Sequence, residues 1–444
     1  MIRSYFYSCL FFIIIFYSNN YAQKQLSLNE AIDIALHQNT GLIKSENNLE
    51  TNTSAIKSAY GNLLPNLNVN GSWSWQRISD KGGETQTDYF GRETTLPPSE
   101  IDSRNYSVSA GGNVTLFDGL SNIANIAQKK NSYESAKLSL TKQKQDIILQ
   151  TANYYFSIIS YDSLLKYQDE NLKYNKELLK EIKEKQQLKM VTLADVYSQE
   201  AQTANSELAY LQAKNNYEKA IITLLDYLSL DINKDYSFSL PSNDEVDSNL
   251  TSENYDELLQ FALSHRSDYL SQKFTVEGNE NQLTMARSDL FPTLSGNYSI
   301  STRATDLSSI FNRKTYSLGL SLNIPVFSNW NTEYAIESAN VLLQNSNEDL
   351  KQAERQVKSD VKNSLLDLQT SKLQLDVSKT ALLSAKESWN IKKESYNVGA
   401  ATYIDLQQTY NNYLQAINNS IQAQYNYFTK QFALLNAIGN LNYN

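Results

Sequence analysis

Directly after Pro65 the chain begins to alternate. Leu67, Val69, Gly71, Trp73 and Trp75 interleave with Asn66, Asn68, Asn70, Ser72 and Ser74. A period of two is the signature of a strand, here with one apolar and one wholly polar face. Three further segments repeat it. Tyr106, Val108, Ala110, Gly112, Val114 and Leu116 alternate with Ser107, Ser109, Gly111, Asn113 and Thr115. Leu294, Gly296, Tyr298 and Ile300 alternate with Ser295, Asn297, Ser299 and Ser301, and Tyr316, Leu318, Leu320, Leu322 and Ile324 with Ser317, Gly319, Ser321 and Asn323. About 10 residues tilted near 45° rise roughly 25 Å, the height of the apolar band of a membrane barrel. The polar stretches between them, Arg77 to Asn105 and Thr302 to Thr315, read as solvent-exposed hairpin loops.

Alternation alone would equally describe a soluble two-sided sheet. Polar faces of Asn and Ser with almost no charge fit a wet lumen better. Four strands are too few to close a barrel, and open edges are not tolerated in lipid, so a barrel built from them must be shared between chains.

A different period follows. From Leu120 to Leu188 nothing breaks a helix, a run of roughly 100 Å at 1.5 Å per residue. Ile158, Leu165, Leu172 and Leu179 fall seven apart, as do Val361, Leu368, Leu375, Leu382, Trp389 and Tyr396. A sustained heptad stripe predicts helices packed side by side with a left-handed supercoil. Each long helix stops at a short break, before Thr192 and before Thr402, which are plausible N-caps. Helices from Leu193 to Leu230 and from Tyr403 to Ile438 then run back, making two helical hairpins.

The pattern occurs twice. Pro65 corresponds to Pro292, the stretch from Glu30 to that from Glu257, and the break at Met190 to that at Ala400. A repeated unit of this size is a tandem duplication rather than a solenoid. The expected division is a signal peptide at 1–22, a first repeat at 23–235, a linker at 236–254 and a second repeat at 255–444.

Composition narrows the function. The net charge of −9 argues against nucleic acid as a partner, and 14 glycines and 6 prolines leave long helices uninterrupted. Arg3, an apolar stretch from Tyr5 to Tyr17 and the small residue Ala22 fit a secretory signal cut before Gln23. Cys9 lies inside that stretch without the small neighbours of a lipidation site, so no lipid anchor and no disulfide are expected. No later apolar run is long enough for a spanning helix. His37 and His265, at near-equivalent points of the repeats, lack metal-ligand company. There is no nucleophile elbow, phosphate loop or metal motif, so no enzyme activity and no cofactor are expected. Trp73 and Trp75 read as membrane-interface anchors.

The stretch from Ser395, SYNVGAATYIDLQQTYNNYLQA, resembles the hairpin tip of the TolC family of outer-membrane efflux proteins, and the duplicated order of elements resembles that family over nearly all the mature chain. The resemblance implies a mainly α fold with a small β part. It implies a homotrimer with a shared outer-membrane barrel of twelve strands, four per chain, continued by a long periplasmic helical barrel. It also implies a passive channel for efflux or type I secretion in a Gram-negative outer membrane, served by a periplasmic adaptor and an inner-membrane pump of RND or ABC type. A periplasmic coiled-coil structural or adaptor protein is the alternative.

Lys189 and Thr192 mark the first tip; Tyr396, Gly399, Thr402 and Asp405 match the second, and Asp195 matches the Asp of the first. In the best-known family member a Tyr and an Arg of the second tip tie to that Asp and hold the entrance shut. Here Ala401 replaces the Arg and Gln408 replaces a second constriction Asp. Three Asp405 side chains on a threefold axis would form a carboxylate ring that favours cations and raises its own pKa. Alternatively, Asp405 simply complements a helix N-terminus.

Overall fold

The computed structural model describes residues 24–239 and 254–441. The expected signal segment and most of the 236–254 linker lie outside them. The elements are β1 (Lys24–Leu26), α1 (Leu28–Gln38), α2 (Thr40–Gly61), β2 (Asn68–Asp80), β3 (Thr85–Thr87), β4 (Glu93–Thr95), β5 (Ser99–Phe117), α3 (Ser121–Gln187) and α4 (Leu193–Tyr227). The second half contains β6 (Tyr236–Phe238), α5 (Tyr255–His265), α6 (Ser267–Ser288), β7 (Thr293–Ala304), β8 (Lys314–Asn323), α7 (Asn331–Asn397) and α8 (Tyr403–Ala437). The long helices α3 and α7 each have 67 residues and the returning helices α4 and α8 each have 35. Among the described residues no helix is long and apolar enough to cross a membrane.

Contacts divide the described residues into two units, 24–47, 138–270 and 353–441 on one side, 48–137 and 271–352 on the other. The second unit holds the two-faced strands as one antiparallel sheet in the order β2-β5-β7-β8. Its register keeps the faces in phase: Val69 lies opposite Ala110, Ala110 opposite Ile300, and Ile300 opposite Tyr316. Every position of β2 is exposed, as are Leu318, Leu320 and Leu322 of β8 at 90%, 74% and 62%. The apolar face is therefore uncovered within one chain.

All four strands run further at their loop ends than the alternation predicted, β7 to Ala304 and β8 from Lys314, and two of them much further. β2 has 13 residues and β5 has 19, because pairing continues through Arg77–Asp102, Ile78–Ile101 and Ser79–Glu100. The stretch read as a loop from Arg77 is thus largely a two-stranded ribbon, reinforced by an Arg77–Glu100 ion pair at 2.7 Å and tipped by the small β3–β4 hairpin. Charge pairing across strands supports such a ribbon where apolar alternation has ended.

Near the helix side of the sheet, the side-chain amide of Asn66 bonds both the backbone and the side chain of Asn113 at 2.8 Å. A Cβ on Gly112 would stand 1.8 Å from the Asn66 carbonyl oxygen, so only glycine fits there.

The first unit has the apolar core. Leu28, Ile32, Ile147, Phe156, Leu224 and Phe432 are among its buried members. The Tyr155 hydroxyl lies 3.0 Å from the Leu26 carbonyl and 2.6 Å from that of Ser239, tying the parallel β1–β6 pair to α3. Arg266 is buried between Asp268, at 2.5 Å, and Asp360, at 2.8 Å, so its charge is matched where water is excluded.

The heptad stripe is only partly covered. Ile158, Leu172, Val361, Leu368 and Leu375 are buried, while Leu165, Leu179, Leu382, Trp389 and Tyr396 are half-buried. A second apolar row on α7, including Leu366, Leu373 and Ile391, stays exposed at 47%, 67% and 60%.

Candidate functional site

The two helical hairpins end in the same local construction. Helix α3 closes with its last carbonyls capped by Lys189 N–H to Gln186 O and Met190 N–H to Lys185 O; α7 closes with Gly399 N–H to Tyr396 O and Ala400 N–H to Ser395 O. This Schellman arrangement needs a left-handed residue, and Lys189 has φ 59° where Gly399 has φ 78°. A lysine in the first repeat where the second has Gly399 therefore leaves the turn unchanged and adds strain at Lys189.

The next helix begins with a capping box in both repeats. Thr192 N–H donates to Asp195 Oδ2 at 2.9 Å and Asp195 N–H to Thr192 Oγ1 at 3.2 Å. Thr402 N–H donates to Asp405 Oδ2 at 3.1 Å and Asp405 N–H to Thr402 Oγ1 at 3.1 Å. The reciprocal bonds satisfy donors that a helix start leaves unpaired. Hydrogen bonds from the Thr402 backbone and side chain hold the Asp405 carboxyl below its ordinary value.

The fold brings the tips together. Lys189, Thr192 and Asp195 of the first and Tyr396, Thr402 and Tyr403 of the second line one pocket of about 380 Å³. The Tyr396 ring also carries the Lys185 ammonium 4.7 Å above its centroid, and Lys185 pairs with Glu181 at 2.5 Å. Burial pushes the Tyr396 phenol up, while Lys185 pulls it back. Asp195 is engaged by its own helix cap. Gln408 is exposed and donates along its helix to Asn412 Oδ1 at 3.3 Å.

Just behind the tip lies a buried polar seam that heptad reading passes over. Gln199 donates to Asn175 Oδ1 at 3.0 Å and accepts from the Tyr403 hydroxyl at 2.6 Å and from Gln407 Nε2 at 2.8 Å. Asn175 donates to Asn171 Oδ1 at 2.8 Å, which also accepts from the Tyr410 hydroxyl at 2.9 Å. Three helices, α3, α4 and α8, are thereby joined by amides and phenols. The available signal was Asn171 and Asn175 flanking Leu172 within a stripe otherwise apolar. Beside the seam, Trp389 stacks on Tyr413 with centroids 5.1 Å apart, and Tyr174 lies 4.5 Å from Tyr410. Burial pushes the Tyr174 phenol up to about 12 and that of Tyr410 higher still.

Trp73 and Trp75 belong to the other unit, on the apolar face of β2, opposite Tyr106 and Arg104. The histidines are placed apart from all of these groups. His37 Nδ1 lies 2.8 Å from the Asp33 carbonyl, and His265 stacks on Phe261. Among the described residues no group of three or more His, Cys, Asp or Glu side chains is gathered to hold a metal.

Known proteins can be set beside this geometry. Residues 31–229 and 258–440 match the sequence model described as Outer membrane efflux protein. No curated protein matches the chain. Among solved structures, the outer membrane protein VceC from Vibrio cholerae is similar at 17% identity with a TM-score of 0.79, covering 93% of this chain and 96% of its own. The Campylobacter jejuni CmeC outer membrane channel is 19% identical with a TM-score of 0.78, over 93% and 85%. The open state of the Neisseria gonorrhoeae MtrE outer membrane channel is 19% identical with a TM-score of 0.78, over 93% and 89%.

Proposed function

Since the chain belongs to the outer membrane efflux protein family, resides in the outer membrane and reaches into the periplasm, we propose that it is the passive outer-membrane duct of a tripartite efflux or type I secretion system. Three copies pool their strands into a twelve-stranded barrel, and their helical hairpins continue it as a periplasmic tunnel. A periplasmic adaptor and an inner-membrane pump of RND or ABC type supply substrate and energy.

One observation carries this reading. The four-stranded sheet has an uncovered apolar face and two open edges, β2 and β8. Open edges leave backbone donors and acceptors unpaired, which hydrocarbon does not tolerate; closure with further copies satisfies them. The exposed apolar row on α7 supports the same conclusion, as a helix face that a neighbouring copy would cover.

The entrance is the pair of tips. Tyr396 and Asp195 stand where the family's latch stands, Asp405 and Gln408 where its constriction stands, and the tip is held within one chain by Lys185 on Tyr396 and by the Gln199–Tyr403 seam. As a ring of three, Asp405 would favour cations.

Two measurements test the reading. Detergent-extracted protein should run as a trimer that heating dissociates, and should open conducting pores in planar bilayers; a detergent-free single copy without conductance refutes it. In those pores Asp405→Asn should weaken cation preference and divalent block, and unchanged selectivity removes the carboxylate ring while leaving the duct in place.

A further inference from the structure

Helix α8 carries no charged side chain from Leu406 to Thr429, although one of its faces is exposed. Gln408, Asn412, Gln415, Asn419, Gln422 and Asn426 follow one another at alternating spacings of four and three, so they form a single stripe of amides. The stripe continues the register of Asp405. An exposed helix face ordinarily carries charged residues. Helices α3 and α7 do carry them, but not on every side.

Two grooves flank the stripe. One, of about 1000 Å³, lies between α7 and α8 and is bordered by Thr370, Gln374, Ser378 and Ala381. The other, of about 310 Å³, lies between α3 and α8 and is bordered by Ser157, Ser160 and Tyr161. Gln422 and Asn426 border both, so the two grooves open on one side of α8, and the residues lining them are all uncharged.

The long helices sort their charges to match. On α7, Lys372, Lys379 and Lys386 each fall four residues after a member of the heptad stripe, whereas Gln374 and Ala381 each fall one residue before. On α3, Asp162 and Asp169 fall four after, paired with Lys166 and Lys173, whereas Ser157 and Leu164 fall one before. At about 3.5 residues per turn these positions lie on opposite flanks of the packed stripe, roughly 150° apart. The exposed row of Leu366 and Leu373 takes the far side of α7, which a neighbouring copy would cover. The charged and neutral flanks are then the two faces of a wall one helix thick.

We propose that the neutral flank is the inner face: Asn412, Gln415, Asn419 and Gln422, with the grooves beside them, line the duct and pass neutral and zwitterionic polar cargo as readily as ions. The proposal rests on the duct reading and deepens it. Amides and hydroxyls donate and accept, so they exchange hydrogen bonds with water and solute alike. They set no fixed charge in a confined space, where field focusing would hold an ion. Charge selection is left to Asp405.

Cys9, within the expected signal segment, is the only cysteine, so one introduced thiol can be followed in the full chain. Asn419→Cys and Lys379→Cys are verified as heat-dissociable oligomers on gels and opened in planar bilayers across a salt gradient. Methanethiosulfonates bearing a sulfonate or a trimethylammonium group are then added, and the extent of modification is read by mass. On Asn419→Cys the single-channel conductance should fall in steps. The reversal potential should move toward cation preference with the sulfonate and toward anion preference with the ammonium. Lys379→Cys should be modified as fully and leave both readings unchanged. Gln415→Cys is a second reporter of the neutral face should Asn419→Cys not assemble. Thiols on the neutral face that do not react, or that react without altering either reading, overturn the proposal and leave the duct standing, as does an effect confined to Lys379→Cys. A wild type that opens no pore overturns both.

Discussion

Gly112 and Lys189 show how single positions are constrained by backbone rather than by side-chain chemistry. At Gly112 an added methyl would meet the backbone carbonyl of Asn66, a residue whose side-chain amide is held by two bonds to Asn113. Gly112→Ala is therefore expected to cost about 2 kcal/mol or more and to lower the temperature at which the oligomer dissociates on gels. Lys189 adopts the left-handed conformation that its counterpart Gly399 adopts freely. Lys189→Gly should leave stability unchanged or raise it by up to about 1 kcal/mol, whereas Gly399→Val should lower it by about 1–2 kcal/mol, read from thermal unfolding. Acid sensitivity belongs to this scale too. Burial favours the neutral form of Asp268, yet Arg266 outweighs it and holds the carboxyl below its ordinary value. A depressed carboxyl contributes stability that is present above its unfolded pKa and lost as pH falls through the folded one. The midpoint of unfolding should thus be insensitive to this group between pH 7 and about 5 and fall only below about 4, with Asp268→Asn shallowing that acid limb.

Among the elements, helices were the most legible. Seven-residue spacing marked the buried face of α7 through Val361, Leu368 and Leu375, and Thr192 and Thr402 were recognisable as caps because short hydroxyl side chains stood at the breaks. Thr402→Ala should remove one half of its capping box and cost about 1 kcal/mol, visible as faster amide exchange in the first turn of α8. The polar seam was not legible. A Gln or Asn on a long wet helix is normally solvated, and only the approach of two further helices buries Gln199 and Asn175. Gln199→Ala should leave the Tyr403 hydroxyl, Gln407 and Asn175 without their shared partner and cost about 1–3 kcal/mol. The exposed Tyr197→Ala, two residues away, should stay within about 0.5 kcal/mol. Strand limits were misjudged at both ends: the loop ends run further than the alternation, while Leu67 and Ile324 fall just outside β2 and β8. The ladder from Arg77 to Asp80 is supported by charge pairing, which an apolar count does not register.

For the whole molecule the question is which solvent each sheet face meets. Leu320 lies on the apolar face and Ser321 on the polar one, and both are exposed in a single chain. Leu320→Arg places a charge within the apolar band and should cost about 2–4 kcal/mol, emptying the outer-membrane fraction. Ser321→Arg should remain assembled and alter conductance. Equal tolerance of both substitutions would mean that neither face touches lipid.

Whatever depends on local period could be read from the residue order alone: two-faced strands, long amphipathic helices, their duplication, and the caps where each helix turns back. These follow from chain geometry, because side chains two apart share a strand face and side chains seven apart share a helix stripe. Folding in three dimensions settled which polar side chains are buried, that Tyr396 meets Lys185 while Asp195 caps its own helix, and how far the β2–β5 ladder runs past Trp75. Those outcomes depend on which residues distant in sequence arrive opposite one another, and burial, pairing and register are properties of the arrival rather than of either residue alone.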